Sequence, residues 1–228
     1  MSKLAFALIG VLFVAGFGQG GVALADGTTE LDQRLIVAAE KGDLKEVNRL
    51  LGKGAHVNAV DGNGNTALMK ATHGNYIDVA RVLIDKGADV NMQNDILDSP
   101  YLYAGAEGLT EILKMTLKHG ADLKSTNRFG GTALIPAAEK GHPENVRLLI
   151  DAGVDVDHIN NLGWTALLEA IILTDGGPVH QEIVKLLIEG DADVNIADFD
   201  GVTPLQHAQR MGYTIIAQLL IDAEAREL

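Results

Sequence analysis

The chain has 228 residues, no cysteine, and 31 Asp and Glu against 18 Lys and Arg, for a net charge of −13. Without cysteine there is no disulfide and no thiolate chemistry. Without clustered Lys and Arg it lacks the phosphate contacts from which general nucleic-acid binders draw their affinity.

Residues 1–25 stand apart from the rest. Lys3 supplies a positive start, residues 4–17 form an uncharged apolar run, and Ala23, Leu24 and Ala25 make a small-x-small site before Asp26. This is the layout of a secretory signal peptide cleaved after Ala25. The run falls short of the roughly 20 apolar residues that a membrane helix needs. The expected location is the periplasm or the exterior, with no membrane association after cleavage. The glycines from Gly16 to Gly21 match GxGxxG, but they follow the signal core and not a strand, so no nucleotide site is read there.

Beyond this segment the chain is periodic. Thr66, Ser99, Thr132 and Thr165 recur at intervals of 33, as do Gly54, Gly87, Gly120 and Gly153; Thr203 follows Thr165 by 38. The closing segments GAHVN, GADVN, GADLK, GVDVD and DADVN fall in phase, and between opener and closer lie ALMKA, YLYAG, ALIPA, ALLEA and LQHAQ. Such periodicity is the mark of a solenoid. Each opener reads as a helix N-cap. Pro100 and Pro204 follow at the first helical position, where a missing N–H matters least. Gly108, Gly141 and Gly212 suit a left-handed turn between two helices, and Asn75 tolerates the same conformation. Runs such as Leu148, Leu149 and Ile150 supply the buried face of the second helix. One unit cannot bury its own apolar face, whereas a stack of units makes one continuous core.

These residues resemble the ankyrin repeat family, whose pattern runs T-P-L-H-x-A-A, then G-H, then V-V-x-L-L-L-x-x-G-A-D-V-N. The resemblance covers about 31–224 in six units, the first with Gln33 where an opener belongs. It implies an all-α solenoid of six helix-turn-helix repeats with β-hairpin connections. The repeats are expected at 31–61, 62–94, 95–127, 128–160, 161–198 and 199–228, within one domain spanning 26–228. It also implies a concave binding face made of hairpin tips and inner helices.

Three departures stand out. Pro136, four residues after Thr132, should remove a hydrogen bond and tighten or shift the first turn of its helix. In the fifth unit 174–180 replaces the inter-helix Gly; its Gly176, Gly177 and Pro178 are loop formers, and the loop should project from the edge. Asp191 stands where the other units have a closing Gly, with Gly190 one residue early.

Motifs for chemistry are sparse. Asp61, Asn63 and Asn65 alternate as in a calcium loop, but the twelfth place holds Thr72 and not Glu, so the segment reads as a turn. The seven histidines show no metal-ligand spacing. No catalytic signature is present, and no cofactor is expected. The remaining signal is large apolar side chains on a ridge that is usually polar: Phe129, Trp164 and Phe199, with Ile96, Leu97 and Leu162 in equivalent segments. They form either a contact strip or a set of tips that pack on one another. Inner-helix positions facing the same groove include Lys70, Tyr103, Glu169 and His207. The expected function is non-catalytic binding of a protein partner by a monomer through Leu97, Tyr103, Phe129, Leu162, Trp164, Glu169, Phe199 and His207. The alternatives are a chaperone-like or protective accessory to an exported enzyme, and an enzyme or small-ligand binder using Asp175 and His180 of the insertion.

Overall fold

The computed structural model describes residues 29–225; the segment read as a signal peptide lies outside them. The described residues form twelve helices: α1 (Glu30–Glu40), α2 (Leu44–Gly52), α3 (Ala67–His73), α4 (Ile77–Asp85), α5 (Pro100–Ala106), α6 (Thr110–Lys118), α7 (Leu134–Glu139), α8 (Pro143–Ala152), α9 (Ala166–Ile172), α10 (Pro178–Glu189), α11 (Pro204–Met211) and α12 (Thr214–Asp222). Odd-numbered helices stack on one another as an inner layer, and even-numbered helices as an outer layer. One core runs the length of the stack, through Leu35, Leu68, Tyr101, Leu134, Leu167 and Leu205 of the inner layer and Leu50, Leu83, Leu113, Leu149, Leu187 and Leu220 of the outer. This is the expected all-α solenoid of six repeats.

The caps follow the residue pattern. Thr66, Ser99, Thr165 and Thr203 each accept a bond from the backbone N–H three residues on. Two repeats depart. Helix α1 starts earlier than expected and runs 11 residues, because Thr29 and Asp32 form a capping box ahead of Gln33. In the fourth repeat Thr132 is not the cap, and α7 is down to 6 residues behind Ala133. The reason is Pro136. It has no N–H for the Thr132 carbonyl, so the Ile135 N–H turns to that carbonyl at 3.3 Å. The Thr132 hydroxyl is then left buried without a partner.

The connections are tight turns more than β-hairpins; an isolated bridge pairs Val60 with Thr66. The cause is a side chain. Asp61, Asn94, Asn127, Asn160 and Asp198 each accept the backbone N–H groups two and four residues ahead. Amides that a β-ladder would use are thereby taken. Each tip then needs one left-handed residue. Gly64, Gly130, Gly163 and Gly201 supply it, and Leu97 does so at φ 61°. A side chain in that conformation costs about 1 kcal/mol. Leu97→Gly is therefore expected to raise the melting temperature by about 2–4 °C; a lower one would mean that the Leu97 side chain outweighs its backbone strain.

Neighbouring repeats are clamped by the last residue of the closing motif. Asn58 accepts from Asp89 N–H and donates to the Gly87 carbonyl, and Asn91 does the same to Asp122 and Gly120. Lys124 stands at this place in the third repeat and has no amide to offer. There the tie comes from Asn145 on α8, which donates to the Ala104 and Gly105 carbonyls at 3.0 and 3.1 Å and accepts from Thr110 Oγ1 at 2.9 Å.

The insertion does not project. Pro178 opens α10, which at 12 residues absorbs the end of the inserted segment. Thr174 bonds back to the Ala170 carbonyl, and the Tyr213 hydroxyl donates to the Thr174 carbonyl at 2.6 Å. Gly176, at φ 66°, lies so close under the Tyr213 ring that a Cβ would sit 2.6 Å from it. Asp191 takes the left-handed conformation at φ 65° that Gly153 takes at φ 90°.

Candidate functional site

The turn residue of each tip sets a register for the inner helix that follows it. Nine residues after it come Lys70, Tyr103, Pro136, Glu169 and His207. In the second and the sixth repeats, this position bonds back to its own turn residue. Lys70 Nζ meets Asp61 Oδ2 at 3.2 Å, and His207 Nε2 meets Asp198 Oδ2 at 2.7 Å. In the fifth repeat the partners carry other groups, and Asn160 Nδ2 donates to Glu169 Oε1 at 2.7 Å. In the fourth, Pro136 has nothing to offer Asn127. A cavity of about 370 Å³ opens there, reaching the flanking positions Tyr103 and Glu169.

Two residues after the turn residue the side chains are Asn63, Ile96, Phe129, Leu162 and Asp200. The middle three are apolar and line the cavity, 52, 52 and 50% exposed. They form a short apolar strip on consecutive tips, ended on both sides by a polar residue. The α5 and α7 ends add Ala106, Glu107, Glu139 and Lys140, and Leu173 follows from α9.

The charges of the site are unevenly matched. Arg128 pairs with Asp98 at 3.6 Å and lies 4.9 Å from the centre of the Phe129 ring. Lys140 pairs with Glu107. Glu139 and Glu169 have no basic partner among the described residues. Glu169 is 5% exposed. Burial, reinforced by the negative charge of Glu139 and only partly offset by the Asn160 bond, pushes its carboxyl up to about 7. Burial also raises Asp98, against the opposing pull of Arg128. Tyr103 rises by burial and the nearby Glu107, with its ring edge-on to His73 at 4.5 Å. Among the described residues no group of three or more His, Asp or Glu could hold a metal ion. What the site offers is shape, apolar surface and an uncompensated carboxylate.

Of the residues expected from the sequence, Tyr103, Phe129, Leu162 and Glu169 come together in this cavity, and Leu97, Trp164, Phe199 and His207 do not line it. Phe129, Trp164 and Phe199 occupy three different registers of the turn, so they do not form one strip. Phe199 remains 77% exposed, with its ring lying on the backbone of Gly163. Trp164 is half-buried, and His207 is held by Asp198. Asp98, Arg128, Pro136, Glu139 and Leu173 were missed as lining residues. The signal for Pro136 is its spacing: it lies nine residues after Asn127, as Tyr103 and Glu169 do after Asn94 and Asn160.

Comparison with known proteins supplies the lineage. A family model described as ankyrin repeats (3 copies) matches residues 101–198, and one described as ankyrin repeats (many copies) matches residues 35–84. A solved ankyrin repeat domain from Acinetobacter baumannii AYE is 58% identical, with a TM-score of 0.83, over 84% of this chain and 98% of that one. A second solved ankyrin repeat protein is 50% identical, with a TM-score of 0.81, over 83% of this chain and 97% of that one. The ankyrin repeat protein YahD of Escherichia coli K12 is 52% identical over 58 residues, which is 25% of this chain and 29% of YahD.

Proposed function

The chain belongs to the ankyrin repeat family, whose repeats generally serve as protein–protein interaction modules and not as enzymes, and on that premise we propose that it binds a protein partner at the tip-and-inner-helix cavity, in the periplasm. One observation carries the choice of site. Ile96, Phe129 and Leu162 are half-exposed at one register of three consecutive tips, above a cavity of about 370 Å³. Large apolar side chains held in water at the mouth of a cavity are a cost to the isolated protein and a gain on binding. Stacked repeats and side-chain-bonded turns preform the surface, so little entropy is lost when it is covered. The periplasmic part of the reading rests on residues 1–25.

The test is capture of partners from a periplasmic extract by the wild-type chain and by Phe129→Ala and Leu162→Ala. Truncating a central aromatic is expected to weaken capture about 30-fold, in line with hot-spot losses of about 2 kcal/mol or more. Phe199→Ala, outside the cavity, is expected to bind as wild type. Undiminished capture by both cavity variants, with folding retained, would overturn the site.

A further inference from the structure

Among the side chains around the cavity the acids outnumber the bases. Arg128 and Lys140 are each already paired, with Asp98 and Glu107. Glu139 and Glu169 are left, and Glu169 is 95% buried with one amide, that of Asn160, as its hydrogen-bond partner. The pairs at the other inner-helix positions show what is missing. Asp61 has the Lys70 ammonium and Asp198 the His207 ring, whereas the carboxylate of Glu169 meets only the neutral amide of Asn160. A buried carboxylate without a counter-charge is costly, and a cation entering the same space recovers that cost. An acidic ligand would meet two like charges.

Resting on the proposed binding site, we infer that the cavity takes one basic side chain, lysine or arginine, from an extended segment of the partner, its charged head set against Glu169 and Glu139. Its aliphatic stem lies along Pro136 between Phe129 and Leu162, as long basic side chains cover apolar surface while their heads meet charge. Residues flanking it in the segment cover Ile96 and Leu162. A free polyamine would leave those half-exposed tips in water, and for this reason the occupant is a peptide and not a small cation.

The test uses the full chain and an array of eight-residue peptides of random sequence with a fixed centre: arginine, lysine, citrulline, norleucine or glutamate. Wild type is expected to favour the arginine or lysine set by about tenfold to a hundredfold over citrulline and norleucine, with glutamate weakest. Glu169→Gln, which keeps the Asn160 bond, is expected to remove most of that preference, and Glu139→Gln part of it. Phe129→Ala should weaken all sets alike. If wild type selects peptides without regard to the central charge, or Glu169→Gln and Glu139→Gln both keep the preference, the inference fails and the binding site stands. If spermidine alone competes as strongly as the best peptide, the occupant is a small cation and the inference also fails. If wild type binds neither peptides nor any extract protein, the binding site itself fails.

Discussion

Replacing Asn145 with alanine is expected to destabilise the protein by about 2–4 kcal/mol, enough to lower the melting temperature by roughly 5–15 °C. The position belongs to the core. Val79, Ile112, Ile183 and Ile216 hold the same register in their repeats and are buried, and Asn145 is 1% exposed. A polar group there is tolerable only because it is fully used. Its amide donates to the Ala104 and Gly105 carbonyls near the end of α5, and its oxygen accepts from Thr110. Alanine leaves the Gly105 carbonyl without its bond and the Thr110 hydroxyl with only the longer bond to the Gly108 carbonyl at 3.4 Å, and a buried group orphaned in this way costs about 1–3 kcal/mol. The loss also falls on the junction where Lys124 replaces the clamping asparagine. Asn145→Ile, which restores the apolar pattern, should recover part of the loss through burial. Thermal melts of the two variants check this; an Asn145→Ala protein as stable as wild type would show that the bonds contribute nothing net.

The second large effect has the opposite sign. Glu169→Gln is expected to stabilise the protein at pH 8, by on the order of 1–3 kcal/mol, and to do nothing at pH 4. Folding raises the Glu169 carboxyl from its ordinary 4.5 to about 7. Below 4.5 the group is protonated in both states and is neutral to stability. Between 4.5 and 7 the unfolded chain releases a proton that the folded chain keeps, so stability falls as pH rises. Above 7 the penalty is complete. Glutamine has the shape and the Asn160 bond but no charge, so the gap between variant and wild type should open across that window. A gap of equal size at pH 4 and pH 8 would assign the effect to packing and not to charge. A residue that lowers stability in the lining of a cavity is what a site selected for binding would carry.

Much of the architecture was legible along the chain because its causes are local. An interval of 33 residues, a hydroxyl three residues before an N–H, a proline at a first helical position and a glycine between helices all act within one turn or one repeat. The caps at Thr66, Ser99, Thr165 and Thr203 accordingly sit where the residues put them, and the left-handed turns at Gly108, Gly141, Gly212 and Asn75 do too. Pro136 could be read as a disturbance, and its effect, a tightened first turn, follows from its missing N–H. That the disturbance strips Thr132 of its capping role depends on a competition between two acceptors for the Ile135 N–H, which composition does not reveal.

What the tertiary structure decided is which side chains meet across repeats. The insertion reads as a free loop, yet Tyr213, 39 residues further on, ties it down. Asn145 breaks the apolar pattern, and only the nearby end of α5 explains why it can. The apolar residues of the tips were visible from the start, but Phe129, Trp164 and Phe199 belong to different registers once the turns close, and the strip is Ile96, Phe129 and Leu162. Glu169 could be placed on the groove by counting. Its lack of a counter-charge could not, because that depends on Arg128 and Lys140 being taken by Asp98 and Glu107. The sequence by itself determined the repeat and therefore the stack, since periodic burial needs only neighbours of the same kind. The site lies where that periodicity fails, at Pro136, and only the stacked structure shows which residues line the opening.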